Sequence, residues 1–457
     1  MAADAKQLPT LFDPTRFERF RFVSRELDAD GRVTLRYALD EEISFTEQFD
    51  LPIEGPLSDD ERERVQSLLS LLHWVAGVSY FKTAVPPRIE CESGTPSPAV
   101  VALLEALYSE GLGEFAYTNG LAELPRPSFP VGPAPGGARS SRSGSPGRVL
   151  VPVGGGKDSA VALEIVRRSG SELALFSIGD AVPILRTVAA AQLPHLMVRR
   201  RLDPGLDGLN RAGALNGHIP ITAIVSCVAL LVAALRGFDT VAMANERSAS
   251  SGNLEWDGVE VNHQFSKGLR AERLLSAALA EVAPELAIFS VLRPASELAI
   301  ARAFARLDAY HEVFTSCNAI FRIDPGLRAS SWCCDCPKCR FVFLALAPFS
   351  SPEHLSAVFG CDLLQEQSQL AGFALLTATG GHKPFECVGE EMESLAAIRL
   401  LAEDPRWADH SVVRGLVSEV LAQASPSEGD PAVVFALSEE HEVPEALMPD
   451  VRAVLGA

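Results

Sequence analysis

Apolar and polar positions alternate from Arg16 to Leu51, with Phe20, Phe22, Val33, Leu35 and Tyr37 flanking the turn Asp28-Ala29-Asp30-Gly31. A period of two on either side of an Asp-Gly turn predicts a β-hairpin. The pattern then changes. Ser58-Asp59-Asp60-Glu61 forms a capping box ahead of a helical run through Leu68, Leu69, Leu72 and Val75, so residues 1–129 are expected to form an α+β module. Between Pro130 and Gly147, 13 of 18 residues are Pro, Gly or Ser. Such a segment lacks the side chains to build a core and is expected to be a flexible linker, residues 130–147.

Strand-like and helix-like runs alternate after that. Strands are expected at 149–153, 173–178, 195–198, 240–244 and 287–292, and helices at 159–168, 221–235, 269–280 and 296–307. This order predicts βαβ units, hence an α/β domain over 148–315 with a mostly parallel sheet and helices on both faces. Residues 316–457 are helical by pattern and show no internal repeat.

Composition narrows the function classes. With 47% hydrophobic and 22% charged residues among 457, a mostly disordered chain is excluded, and two or three domains are expected. The longest uncharged apolar stretch, 221–235, is 15 residues and too short to span a bilayer. The opening Met-Ala-Ala-Asp-Ala-Lys lacks the basic-then-apolar layout of a signal peptide. Nine cysteines, five of them between Cys317 and Cys339, do not resemble a disulfide scaffold, so a reducing cytoplasm is the expected location. Forty basic against 59 acidic side chains give a net charge of −19. Bulk attraction to nucleic acid or an anionic membrane is therefore unfavourable, and neither is an expected partner.

The strongest chemical signal is Gly154-Gly155-Gly156-Lys157-Asp158-Ser159, between a predicted strand and a predicted helix. Glycines allow close backbone approach, and amides at a helix start bind phosphate oxygens. Lys157 can neutralise phosphate charge, Ser159 can donate its hydroxyl, and Asp158 can orient Mg²⁺. Asp158 stands where a Walker A loop needs Ser or Thr, and Ser159 where a dinucleotide fingerprint needs glycine. The segment instead resembles the PP-loop of ATP pyrophosphatases, Ser-Gly-Gly-x-Asp-Ser, with Gly154 replacing the first serine. That resemblance implies cleavage of ATP between the α- and β-phosphates and adenylation of a carbonyl or carboxylate oxygen.

The second signal is Cys333-Cys334-Asp335-Cys336-Pro337-Lys338-Cys339, with Cys317 upstream. Overlapping Cys-x-x-Cys turns plus a distant cysteine can give one tetrahedral ion four thiolates. The spacing Cys317, Cys333, Cys336, Cys339 is similar to the zinc site of PP-loop deazaguanine nitrile synthases. Cys334 replaces the glycine usual there and could substitute for Cys333.

Polar clusters at predicted strand ends, where open α/β sheets keep ligands, supply further candidates. Asn245, Glu246 and Arg247 follow one strand, His218 precedes the buried helix, and His263 and Lys267 precede the next. Residues 381–389 add Glu386 and Cys387. The Gly-Gly-Gly-Lys-Asp-Ser loop, Ala244–Ser248, Trp332–Cys339 and Lys383–Gly389 together resemble the MurL family. Its members are ATP-dependent UDP-N-acetylmuramoyl-L-alanyl-L-glutamate epimerases of some bacteria, and the resemblance spans nearly the full length.

Membership would imply a UDP-muramoyl-dipeptide substrate, cell-wall precursor synthesis, and ATP with Mg²⁺ as cofactors beside a structural Zn²⁺. The chemistry is coherent. Removing the α-proton of a glutamate beside an ionised carboxylate puts two negative charges side by side, and adenylating the carboxylate removes one of them. By residue type, Glu246, His218, His263 and Cys387 can serve as base. Glu246 ranks ahead of Cys387 because it directly follows a predicted central strand. The alternatives are another PP-loop adenylating enzyme, deazaguanine- or tRNA-modifying, and a non-catalytic ATP-binding regulatory module.

Overall fold

The computed structural model describes residues 11–134, 146–321, 326, 329, 331–379 and 381–456. Residues 135–145 of the expected linker lie outside the described residues. The chain divides into two compact units. The first takes Met1–Arg142, Met197–Asp239 and Ala271–Ala287, and the second Ser143–Leu196, Thr240–Arg270 and Ile288–Ala457.

In the first unit the alternating N-terminal pattern forms three antiparallel strands, Arg19–Leu27, Arg32–Leu39 and Ile43–Asp50. The expected hairpin closes with Leu27 opposite Val33, and Gly31 supplies the φ of 77° that its turn requires. Strand Arg88–Cys91 adds to Arg19–Leu27 in parallel. The run at 195–198, expected as one more strand of a mostly parallel sheet, extends to Arg201, and residues 199–201 pair antiparallel with 48–50. Charge matching explains the pairing. Arg200 Nε lies 2.5 Å from Glu47 Oε1, and Arg201 grips Asp50 through two nitrogens at 2.6 and 2.8 Å.

Ser58 and Glu61 form the capping box, and the apolar run after it is the buried helix Gln66–Ala76. The stretch at 221–235 is the helix Ile221–Arg236, closed by Gly237 in the left-handed conformation. No helix among the described residues is long and apolar enough to cross a membrane.

The second unit has the strand order Ala287–Ser290, Thr240–Met243, Arg148–Pro152, Glu172–Ile178. Arg148–Pro152 runs parallel to both neighbours, as the alternation of strands and helices requires. Val149, Leu150 and Val151 are all buried, the mark of a strand covered on both faces. The helices Lys157–Arg168, Glu297–Phe304, Pro337–Leu346 and Glu391–Glu403 bury Leu163, Leu298, Phe343 and Leu401 in one core. The cysteine-bearing segment and the C-terminal helices thus share a core with the glycine-rich loop.

Candidate functional site

The buried strand Arg148–Pro152 delivers the chain to Gly154–Gly156, and the helix Lys157–Arg168 begins at once. Gly155 has φ 82°, and a Cβ there would stand 2.6 Å from the Pro183 carbonyl carbon, so only glycine fits. A Cβ on Gly156 would stand 2.8 Å from Ser316 Oγ, while around Gly154 nothing lies within 4 Å. Thr315 N donates to Gly155 O at 2.9 Å and fixes the turn. The helix start has no side-chain cap, so its first-turn amides are available to an oxyanion. Ser159 Oγ donates to Gly156 O at 3.0 Å. A phosphate-bearing ligand fits this turn, which is bare at Gly154 and opens onto the uncapped amides of the helix start.

Behind the loop lies a buried charge cluster. Lys157, 1% exposed, donates to both Asp158 and Glu297. Burial pulls the Lys157 ammonium down, but Asp158 and Glu297 more than reverse this and hold its pKa above the ordinary lysine range. Burial pushes the Asp158 carboxyl up, yet Lys157 and Lys338 keep it below the usual carboxylate range. Burial and then the Asp158 charge push Glu297 up to about 7, against Lys157. Glu297 opens its helix behind the Ser296 cap, and its backbone N–H donates to Glu393 Oε1 at 3.1 Å. Burial drives the Glu393 carboxyl well above its ordinary range, with Glu390 and Glu297 adding to it.

A second set of groups surrounds Lys267. Burial pulls its ammonium down, and Cys387, Glu246 and Asp158 more than compensate, so it stays charged. Burial pushes the Cys387 thiol up, but Lys267, a hydrogen bond with His263 and then Lys338 bring it down to about 6. Glu246 is 2% exposed just beyond the strand Thr240–Met243. Arg293 braces this edge by donating to Glu246 O and Lys267 O. Asn245 Nδ2 donates to Ser290 Oγ at 3.0 Å, and Arg247 donates to the Val434 and Ala436 carbonyls. Arg247 thereby ties this strand end to the C-terminal segment.

Three polar side chains hold the loop 381–389 through its carbonyls. Asn253 Nδ2 donates to Pro384 O at 2.8 Å, Lys338 Nζ to Cys387 O, and Gln264 Nε2 to Val388 O at 3.5 Å. Asn253 also accepts from His263 N at 2.9 Å, linking the loop to the imidazole that meets Cys387.

The sulfurs of Cys317, Cys333, Cys336 and Cys339 all lie within 4.8 Å of one another. Cys336 to Cys339 is 3.4 Å and Cys333 to Cys339 is 3.7 Å. Tetrahedral zinc with bonds of ~2.3 Å needs sulfurs about 3.8 Å apart, so four thiols in this arrangement fit it. Cys334 turns away, with φ 59° and its thiol on Phe359 O at 3.3 Å.

The second unit therefore brings together Lys157, Asp158, Glu246, His263, Lys267 and Cys387. His218 belongs to the first unit, where its Nδ1 lies 4.0 Å from Glu114 Oε2. Glu297, Lys338, Arg293 and Glu393 escaped the sequence analysis. Ser296-Glu297 is indistinguishable from an ordinary helix cap, and Lys338 is hidden among the cysteines.

Fold and site together define an α/β protein whose glycine-rich strand-to-helix turn is backed by a buried lysine, carboxylate and thiol cluster. A family model described as the MurL N-terminal domain matches residues 11–291, and one described as the MurL C-terminal domain matches 313–430. The chain belongs to the MurL family. Three similar proteins carry the name UDP-N-acetyl-alpha-D-muramoyl-L-alanyl-L-glutamate epimerase. That of Salinispora tropica is 48% identical over 420 residues, 89% of this chain and 89% of the relative. That of Micromonospora sp. is 46% identical over 440 residues, covering 94% and 96%. That of Xanthomonas oryzae pv. oryzae is 42% identical over 445 residues, covering 97% and 98%.

Proposed function

We propose that this protein is an isomerase that inverts the terminal L-glutamate of UDP-N-acetylmuramoyl-L-alanyl-L-glutamate to D-glutamate in peptidoglycan precursor synthesis. It does so at the expense of ATP cleaved to AMP and diphosphate. The identity of 42–48% over most of the chain to proteins of that name is the observation that carries this reading. The buried cluster supports the chemistry. With ATP bound, its phosphates would lie on the amides of the Gly154–Gly156 turn and beside the Lys157 ammonium, and Asp158 would hold Mg²⁺, which would supply shielding of phosphate charge.

The glutamate α-carboxylate attacks the α-phosphorus of ATP, diphosphate leaves, and the acyl-adenylate, which no longer carries the carboxylate charge next to the α-carbon, makes the α-proton removable. The Cys387 thiolate, facing Lys267, removes the α-proton, and a proton returns to the opposite face of the α-carbon from the side of Glu246. A thiol with a pKa of about 6 is ionised at neutral pH and matched to this task. Water then releases AMP. Asn245, Arg247, His263 and Lys267 are the groups assigned to substrate. The four cysteines hold a structural zinc, since four thiolates leave no open position for substrate.

Incubation with ATP, Mg²⁺ and UDP-muramoyl-L-Ala-L-Glu, followed by hydrolysis and chiral analysis, should yield D-glutamate with AMP. Unchanged L-glutamate in the presence of ATP would refute the proposal.

A further inference from the structure

Lys383 is 1% exposed, and its ammonium has no hydrogen-bond partner among the described residues. The other buried lysines of this unit are matched: Lys157 by Asp158 and Glu297, and Lys338 by Cys387 O with Glu297 Oε1 at 3.9 Å. An ammonium taken out of water without an acceptor is a costly arrangement, and its natural remedy is an anion.

The backbone around Lys383 is held by hydrogen bonds. The next carbonyl, Pro384 O, is held by Asn253, whose other amide atom holds the backbone of His263. His263 in turn hydrogen-bonds the Cys387 thiol, four residues along the same loop. Lys383 and Cys387 thus sit four residues apart on one loop, within ~14 Å of chain. Asn253, Lys338 and Gln264 fix the loop from outside, and none of them needs the Lys383 side chain.

We propose that Lys383 is a binding residue for an oxyanion of a reactant, a carboxylate or a phosphate, on the loop that carries Cys387. The proposal rests on the epimerase reading for the identity of the reactants. Two sources fit: the side-chain carboxylate of the terminal glutamate, which stays charged after the α-carboxylate is adenylated, and a phosphate of ATP or of the UDP moiety.

Titration calorimetry on the full-length protein separates them, with ATP–Mg²⁺ alone, UDP-muramoyl-L-Ala-L-Glu alone, and its L-Gln analogue alone. No turnover occurs in any of these mixtures. Lys383→Met should lose about 10- to 100-fold in affinity for the reactant whose oxyanion it holds, the loss expected for one charge-assisted hydrogen bond. Lys383→Arg should retain most of it. If the glutamate carboxylate is the source, wild type should prefer the Glu over the Gln peptide and Lys383→Met should not. If a phosphate is the source, the ATP or the Gln-peptide affinity should fall as well.

Without ligand, Lys383→Met should melt at the wild-type temperature or above, because a buried charge with no partner among the described residues has been removed. Unchanged affinities for all three ligands would overturn the proposal. So would a lower melting temperature in Lys383→Met and Lys383→Gln alike with affinities intact, which would make the ammonium structural. Wild type that binds neither reactant would instead count against the epimerase reading.

Discussion

Replacing Lys267 by methionine should separate proton transfer from ATP cleavage, and the structure sets the size of the effect. Lys267 is the largest of the influences that bring the Cys387 thiol down to about 6. Burial opposes it, while His263 and Lys338 still favour the thiolate, so without the ammonium the thiol rises toward its ordinary ~8.5. At pH 7 a thiol of pKa about 6 is ~90% ionised, and one at ~8.5 is only ~3% ionised. Proton exchange per adenylation should therefore fall by up to roughly 30-fold at pH 7 and recover at higher pH.

The assay is initial α-deuterium incorporation in deuterated buffer across pH, divided by diphosphate release in the same tube. That ratio cancels any effect of Lys267 on Asp158 and the nucleotide. A stability measurement gives a second readout. The folded thiol is depressed below its unfolded value, so its stabilising contribution is complete above ~8.5 and lost as pH falls through about 6. Lys267→Met should lack that pH-dependent loss. An acidic limb that stays near 6 in the variant, or a deficit of equal size at every pH, would refute the reasoning.

Asp158→Asn should abolish diphosphate release with near-wild-type melting, and ADP as the nucleotide product of the native protein would contradict the PP-loop chemistry. Gly155→Ala places a Cβ 2.6 Å from Pro183 at φ 82°, so a stability loss of at least ~2 kcal/mol is expected, read by denaturant unfolding. An unchanged midpoint would show that the turn relaxes. Protein purified without chelator should carry about one zinc per chain, and Cys336→Ser should lower both zinc content and melting temperature. Metal-free protein of full stability would remove the zinc assignment.

Local features were legible because their physics is local. The Asp28–Gly31 turn, the Ser58 capping box and the strand–glycine–helix passage at 148–168 each depend on a few consecutive residues. Likewise, four cysteines at zinc spacing announced their own proximity. What the sequence hid depends on distant pairing. Glu297 reaches Lys157 across 140 positions, and nothing in Ser296-Glu297-Leu298 distinguishes it from a cap. Strand His195–Arg201 turns antiparallel because Arg200 and Arg201 meet Glu47 and Asp50, a match visible only once the hairpin is folded. Nothing local in sequence distinguishes Lys383 from its neighbours, and only its burial without a partner among the described residues marks it.

The central claim is that ATP cleavage at this loop makes the glutamate α-proton removable. Its most direct test follows UDP-muramoyl-L-Ala-L-Glu in deuterated water with Mg²⁺, with and without ATP, by mass and chirality of the recovered glutamate. With ATP, D-glutamate should appear carrying one α-deuterium while AMP and diphosphate accumulate, and without ATP neither exchange nor inversion should occur. Inversion or α-exchange at the same rate without ATP would contradict the account.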